Sequence, residues 1–369
     1  MNRRWVAAGC AAVMTTLLPA SPAFADQDRV RLLGATTVPH AWEFEGTTVG
    51  GLSGIDRDPR TGEFVLISDD RSQQQPSRFY SARLNPETGA PELTGTRPFL
   101  RPDGRPYPPP EVGDGTTVDP EEIRFDPRSH ELWWTSEGAR AEQVIDPAVR
   151  IAAPDGSFRS ELDLPENLRM AEGTGPRHNE ALEALTFAAG GELVMHATEG
   201  PLMQDGESPT VDHGALGRVT AQDRSGSVVA QHAYPMDPVF AESPSGGFSN
   251  NGVVSILAAD EHDPYRYLVM ERSFVTGVGN SVRIYEVDAR GATDVRDLDS
   301  LKGDDVTPVR KELLVDLGDL DLGEHGPVDN VEGMTWGPEL PGGERSLVLV
   351  SDDNFSAEQK TQLIALGVR

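Results

Sequence analysis

Carboxylates recur at two positions of a repeated pattern in this sequence, and their spacing could gather them round a metal ion. Five segments align at a first position, here column one, and each continues into a short β-rich run that ends in a second position, column two. Column two follows column one by 16 residues in three repeats and by 20 in two. Column one holds Ser53, Glu121, Glu183, Asn251 and Glu332, and column two holds Asp69, Glu137, Glu199, Glu271 and Asp352.

Oxygen ligands of this kind indicate Ca²⁺, because Zn²⁺ prefers His and Cys. Two like charges a few ångströms apart repel by roughly 1–4 kcal/mol, depending on the effective dielectric. A cation would remove that repulsion. The alternative is structural: the acids would cap strand ends by accepting backbone N–H bonds, or pair with arginines such as Arg272.

The elements that must position these residues are short strands. β-rich runs lie between clusters of Gly, Pro, Asp and Asn, which is typical of an all-β protein. The runs that precede column two are residues 63–68, 131–136, 192–198, 266–271 and 346–351. Repeats begin between 62 and 81 residues apart, which fits four-stranded β-propeller blades of about 40–50 residues with loop insertions.

Two further strands are predicted after the column-two acid in each of the first four repeats. They lie at 78–84 and 93–99, 149–153 and 158–164, 215–220 and 227–233, and 281–287 and 310–317. The last repeat has only 362–366 before the sequence stops, so we expect the N-terminal stretch 30–38 to supply its outer strand. The pattern predicts a β-propeller of five blades, closed by that N-terminal strand, with six blades as the alternative.

Blade geometry brings the two columns together. The first two strands of a blade are antiparallel neighbours, so the start of the first lies beside the end of the second. The first strand of each blade lines the central channel. The eight carboxylates of the two columns are therefore expected round one channel mouth.

The N-terminal segment reads as a secretory signal peptide. Arg3 and Arg4 precede an apolar run, and a small-x-small exit ends at Ala25, so residues 1–25 form the signal and 26–369 the propeller domain. A membrane anchor, a twin-arginine signal and lipidation at Cys10 fit less well. We expect a secreted protein, outside the membrane once the signal is cleaved.

The composition of the chain limits the classes of partner that it is expected to bind. The chain has 60 acidic and 32 basic side chains, a net charge of −28, which disfavours nucleic acid and anionic membranes. Cys10 is the only cysteine and leaves with the signal, so disulfides and thiol chemistry are excluded. A monomer that acts on a small molecule is expected.

The motif blocks resemble a known family. The C-terminal blocks 329–336, 347–355 and 361–363 are the most specific, and 51–55, 69–71, 137–138, 179–183 and 199–200 extend the match. They resemble the phytase-like domain family, "esterase-like activity of phytase", over about residues 30–369. The resemblance implies a secreted propeller related to Ca²⁺-dependent alkaline phytases, with hydrolysis of phosphomonoesters as its activity.

Such a hydrolase needs metal ions that neutralise the phosphate and generate hydroxide from water. We assign Glu332, Glu183 and Asp352 to catalysis. Arg71, Arg272 and Arg78 are assigned to substrate binding. The assigned metal ligands are Asp69, Glu121, Glu137, Glu199, Glu271 and Asn251.

Two other functions stay open. A Ca²⁺-dependent lactonase could use Glu332, Asn251 and Asp352 on one ion, and a non-catalytic module could use Ca²⁺ only to lock its blades. A serine esterase is disfavoured, because the sequence has no Gly-x-Ser-x-Gly elbow. His178, His196 and His325 lie near motif blocks without metal-ligand spacing. Few lysines remain after the signal, which disfavours a site for phytate.

Overall fold

The computed structural model describes residues 29–85, 88–141, 143–303 and 305–369. The signal peptide predicted at residues 1–25 lies outside them. Within the described ranges no helix is long and apolar enough to cross a membrane.

Five four-stranded antiparallel sheets form the fold. The described chain begins with β1 (Val30–Val38) and a small hairpin of β2 (Trp42–Phe44) and β3 (Thr47–Val49). The first blade is β4 (Leu52–Arg57), β5 (Phe64–Ser68), β6 (Arg78–Leu84) and β7 (Pro91–Pro98). The second begins with β8 (Pro120–Phe125) and β9 (Leu132–Ser136). After the hairpin of β10 (Ala139–Arg140) and β11 (Val144–Ile145), it is completed by β12 (Ala148–Ala152) and β13 (Phe158–Leu162).

The remaining blades repeat this order. The third is β14 (Leu182–Ala188), β15 (Leu193–Thr198), β16 (Ala215–Asp223) and β17 (Val228–Met236). The fourth is β18 (Ser249–Ala258), β19 (Arg266–Val275), β20 (Gly279–Asp288) and β21 (Arg310–Asp316). The fifth contains β22 (Val331–Glu339), β23 (Arg345–Ser351) and β24 (Thr361–Val368).

The N-terminal strand closes the ring, as predicted. β1 pairs antiparallel with β24, from Val30 opposite Val368 to Val38 opposite Thr361. The fifth blade therefore has four strands, one of them from the other end of the described chain. The all-β, five-bladed β-propeller is confirmed, and the six-bladed alternative is not.

The core lies between blades. Neighbouring residues of a strand point to opposite faces of its sheet, so consecutive apolar residues of each second strand pack into two different interfaces. One buried apolar cluster fills each of the five interfaces. The consecutive pairs are Leu66 and Ile67, Trp133 and Trp134, Val194 and Met195, Leu268 and Val269, and Leu349 and Val350.

Each innermost strand carries a register shift against its neighbour. In blades one, three and five the unpaired residue is Ser53, Glu183 and Glu332, all in column one. In blade two the shift falls within Glu121–Glu122. A bulge bends the strand and re-aims the extra side chain, so the same local defect turns these residues toward the channel mouth.

Below the mouth, Arg124 of the second blade fills the channel. Its guanidinium donates to the carbonyls of Ile55 in blade one (2.5 Å), Leu185 in blade three (2.8 Å) and Ile256 in blade four (3.2 Å). Its charge is paired with Glu122 Oε2 at 2.8 Å. Arg124 is buried, so at this level the channel is packed with protein.

Candidate functional site

A cavity of about 520 Å³ opens at the mouth end of the channel, above Arg124; we call it the mouth cavity. Charged side chains of three innermost strands (β8, β14 and β22), of β19 and of the loops beside them line it. Its charged lining residues are Asp69, Asp70, Arg71, Asp119, Glu121, Glu137, Glu183, Arg272, Glu332 and Asp352. Both column residues line the cavity in blades two and five, and one of the two does so in blade one (Asp69) and in blade three (Glu183).

Main-chain hydrogen bonds fix the column-two residues. The N–H of Asp69 donates to Gly51 O at 2.7 Å, and Glu137, Glu199 and Asp352 repeat this bond with the residue two positions before column one. The acceptors in the other three blades are the carbonyls of Asp119, Ala181 and Asn330. The backbone position of each of these column-two residues is therefore fixed by a hydrogen bond within its own blade.

Five of the acids form two groups that could hold cations. Asp119, Glu121 and Glu137 make one group, and Glu137, Glu183 and Glu199 make the other; within each, one ligand atom per residue lies within 4.8 Å of the others. Glu137 belongs to both. All the ligand atoms are carboxylate oxygens, which suits Ca²⁺ rather than Zn²⁺.

Burial and mutual repulsion hold these carboxyls against ionisation. Loss of hydration is the largest cause for each and raises the pKa of Asp119 to about 6 and that of Glu199 to about 7. Burial and then neighbouring carboxylates raise the pKa values of Glu121 and Glu183 well above the ordinary range. The same holds for Glu137, with burial and then Asp119 as the leading causes.

A third set lies across the mouth cavity from blade three. Burial, and then the charges of Asp352, Asp119 and Glu332, raise the pKa of Asp69 well above its usual value. Its buried Oδ1 has no hydrogen-bond partner among the described residues. Burial followed by Glu332 likewise raises the pKa of Asp352.

The fourth blade departs from the predicted columns. Its register shift falls between Val253 and Ser255, so Val254 occupies the column-one position and Arg272 the column-two position. The assignments of Asn251 and Glu271 to these columns are therefore wrong.

Asn251 and Glu271 belong to a different network. Glu271 accepts hydrogen bonds from Asn251 (2.7 Å), Tyr234 (2.6 Å) and Lys311 (2.5 Å). Its charge is neutralised by lysine and its oxygens are occupied, so the structure does not bring it to the mouth cavity as a metal ligand. The predicted lactonase set also loses its amide member, Asn251.

The three predicted substrate arginines separate into two kinds. Arg272 reaches between Glu199 (3.2 Å) and Glu332 (3.1 Å), and Arg71 lies 3.5 Å from Asp119. Both line the mouth cavity, and the buried Nε of each has no hydrogen-bond partner in the described ranges.

Arg78 is not a lining residue of the mouth cavity, so the structure adds no support to its prediction as a substrate residue. It is 1% exposed and donates to Asp70 at 2.6 Å and to Thr48 O at 2.7 Å. Asp70 also accepts from the backbone N–H groups of Gln73 and Gln75. The pair therefore shapes the loop that carries Arg71.

Sequence reasoning missed Asp119, Asn179 and Asn330, all of which line the mouth cavity. Asn330 donates to Glu332 Oε1 at 3.0 Å. Asp119 and Asn330 each stand two residues before column one, at the carbonyl position that clamps column two. This fixed offset of two residues could have identified Asp119 and Asn330 from the sequence.

The three histidines lie elsewhere. His196 is buried against Gln222 at 2.7 Å, and burial lowers its pKa to about 4. His325 contacts Thr37, and His178 is exposed.

Ser53 Oγ donates to Glu121 O at 2.7 Å. No serine or histidine of the described chain lines the mouth cavity.

The family comparison covers most of the chain. A family model described as "Phytase-like: Esterase-like activity of phytase" matches residues 47–355. No curated protein matches the chain in sequence.

Similar solved structures are remote in sequence. A protein from Lactobacillus plantarum is 14% identical, covering 84% of this chain and 70% of that one, with a TM-score of 0.33. The Swd1 β-propeller domain of Myceliophteria thermophila is 10% identical over 87% and 97%, with a TM-score of 0.34. The periplasmic gluconolactonase of Pseudomonas aeruginosa is 12% identical over 87% of each chain, with a TM-score of 0.35.

Proposed function

The chain belongs to the phytase-like family, described as esterase-like activity of phytase, and from that premise we propose a Ca²⁺-dependent phosphoric monoester hydrolase. The observation that supports this most is the pair of carboxylate groups that share Glu137 in a cavity also lined by Arg272. A phosphate ester is negatively charged, so cations bound by these carboxylates and the neighbouring arginine would both neutralise it.

The residues present fit Ca²⁺. The donor set is all oxygen, Asp69 Oδ1 is buried without a partner, and Arg71 and Arg272 are too few to balance the lining carboxylates. Asp119, Glu121, Glu137, Glu183 and Glu199 would hold the ions, with Asp69 facing them. When bound, Ca²⁺ would neutralise the phosphate charge and lower the pKa of water.

The chain's own groups would orient the ester and handle its proton. Arg272, with an unpartnered Nε, would donate to a phosphate oxygen. Glu332 Oε1 accepts from Arg272 and Asn330, which leaves Oε2 to hold or release a proton. Burial raises the pKa of Glu332, which favours its protonated form over that of a free carboxyl, and we assign to it the proton that goes to the leaving alcohol. Asp352 stays a proposed partner in this step, and the proposed catalytic contribution of Glu183 is as a ligand of the ion.

The test is phosphate release from phenyl phosphate, whose leaving group gains from protonation, by residues 26–369, with Ca²⁺ or with chelator. We expect release that requires Ca²⁺ and that falls at least 100-fold in Glu332→Gln, the scale of a lost general acid. Glu172→Gln, at an exposed position, is the charge-matched control. Folded protein that releases no phosphate under either condition overturns the proposal.

Lactone hydrolysis is the second candidate, because Asn330 beside Glu332 gives the cavity an amide, a carboxylate and Asp352 together. Turnover of a γ-lactone without release of phosphate would favour it. A protein that Ca²⁺ stabilises but that turns over neither substrate would be the non-catalytic module.

We also propose that the protein is exported and acts on a small molecule as a monomer. The basis is the predicted signal peptide and the net charge of −28. N-terminal sequencing of protein from the culture medium should begin at Asp26, and light scattering should give one chain. Retention in the cytoplasm with an intact N-terminus would contradict export.

A further inference from the structure

One wall of the mouth cavity stands higher than the others. β18 and β19 of blade four have 10 residues each, whereas β4 and β5 of blade one have 6 and 5. Val253 opposite Glu271 matches Leu52 opposite Ser68, the end of the blade-one ladder. The fourth blade thus continues for four residue pairs beyond that level, about 13 Å at the usual strand rise.

The extension carries aromatic rings on the face that bears Arg272. Residues two apart share a face of a strand, so Phe274 stands about 7 Å above Arg272, and both line the mouth cavity. Phe248 is 64% exposed, and its ring lies 6.3 Å from that of Phe274. Phe355, on the loop between β23 and β24, also lines the mouth cavity, whereas Phe248 lies beside Phe274 outside the lining.

The lining divides by charge. The floor carries the carboxylates with Arg71 and Arg272, and both arginines already face acids. The remaining lining residues of the described chain are neutral: Gln73, Gln74, Asn179, Phe274, Asn330, Asn354, Phe355 and Gln359. A substrate with phosphates all round it would meet no cation at these positions.

We propose that the substrate has a single anionic ester group on a neutral, apolar or aromatic alcohol. The anionic group reaches the floor, and the alcohol rests on Phe274 and Phe248. This inference rests on the proposed function and specifies its substrate class. Phe274 is then a specificity residue, because aromatic contacts reward an aryl or alkyl group and give nothing to a polyol.

The experiment compares 1-naphthyl phosphate, glycerol phosphate and phytate in the presence of Ca²⁺. We expect the lowest KM for the naphthyl ester; kcat is compared only between variants on one ester, because naphthol is a better leaving group than glycerol. Phe274→Ala should raise that KM about 3- to 10-fold, the scale of one lost aromatic contact, and leave kcat/KM for glycerol phosphate within about twofold. Phe274→Tyr should keep the preference. Val278→Ala, exposed beyond the same hairpin, is the matched control.

A binding readout separates the inference from the proposed function. Calorimetry should show phenylphosphonate binding more tightly than methylphosphonate, and Phe274→Ala should abolish the difference. Equal affinities, an equal loss on all esters, or phytate as the best substrate would overturn the inference while phosphatase activity stands. Absence of release from every ester would overturn the proposed function, and the inference with it.

Discussion

At the residue scale, Glu137 is the carboxylate on which the proposed cation site most depends. It belongs to both acidic groups, and its Oε1 also accepts the backbone N–H of Ala181 at 2.8 Å, which ties blade two to blade three. Glutamine can still accept that bond but cannot supply a negative ligand. The two properties of this residue can therefore be separated by one substitution.

We expect Glu137→Gln to lower Ca²⁺ affinity at least tenfold and to leave the metal-free protein as stable as the parent or more so, because one repelling charge is gone. Calorimetric titration with Ca²⁺ and thermal melts with chelator would measure both. Glu172→Gln should change neither. Unchanged Ca²⁺ affinity in Glu137→Gln would exclude the shared site.

The buried carboxyls of the two acidic groups, among them Asp119 and Glu199, predict how the stability of the protein depends on pH. Their pKa values are higher in the folded chain than the roughly 4 of an unfolded carboxyl, so the folded state binds more protons. Stability without Ca²⁺ should be greatest near pH 4 and fall as the pH rises through about 6 and about 7. Added Ca²⁺ should reverse the fall, and its stabilising effect should grow with pH. Chelated protein whose melting temperature rises from pH 4 to 7 would contradict this.

At the element scale, the contact between the innermost strand of blade four and the acid of blade three is tight. A Cβ on Gly252 would lie 2.3 Å from Glu199 Cγ. The N–H of Val253 also donates to Glu199 O at 2.9 Å, so the strand cannot move away without breaking this bond. A glycine is required here by close approach.

Gly252→Ala should therefore cost about 1–3 kcal/mol of unfolding free energy and weaken Ca²⁺ binding, because Glu199 must shift. Gly95→Ala is the control, since its Cβ would meet only Arg97 Nη1 at 3.8 Å. Urea denaturation and Ca²⁺ titration would measure both. Equal stability of the two variants would show that the blades relax round the added methyl.

The positions of the strands could be predicted from the sequence. Predicted 78–84 and 30–38 coincide with Arg78–Leu84 and Val30–Val38, because alternating apolar residues bounded by turn residues fix such runs. Columns one and two were also correct in four blades. The repeat supplies that information, since the same backbone clamp recurs at the same offset.

The fourth blade could not be aligned in this way. Glu271 is an acid near the expected position, but pairing puts Arg272 in column two, and Val254 carries no polar atom to mark column one. A bulge shifts the register by one residue and leaves little trace in composition. The burial of Arg78 was equally hidden, because its partner Asp70 follows a column-two acid and reads as part of it.

At the scale of the whole molecule, Arg124 and Glu122 hold the blades together at the centre. Arg124 bonds three other blades, and Ser255 of blade four donates to Glu122 at 2.8 Å. Asp56 of blade one accepts from Thr335 of blade five and from the N–H of Phe125. The innermost strands of all five blades are thus joined at one level.

Arg124→Met should cost about 3–5 kcal/mol, because it leaves Glu122 buried without its partner. The double variant Glu122→Gln with Arg124→Met should recover part of this loss, since no buried charge remains. Chemical denaturation of both variants and the parent gives the coupling. A double variant less stable than Arg124→Met would show that the hydrogen bonds, and not the pairing of charge, are what the centre requires.

The packed channel also determines how molecules can enter and leave the mouth cavity. Since Arg124 closes the far side, the mouth cavity is a dead end, and whatever enters must leave by the same opening. A group in the middle of a long polymer cannot thread through to the floor. We therefore expect the group that reaches the floor to be a terminal group, and the part of a molecule that enters first to leave last.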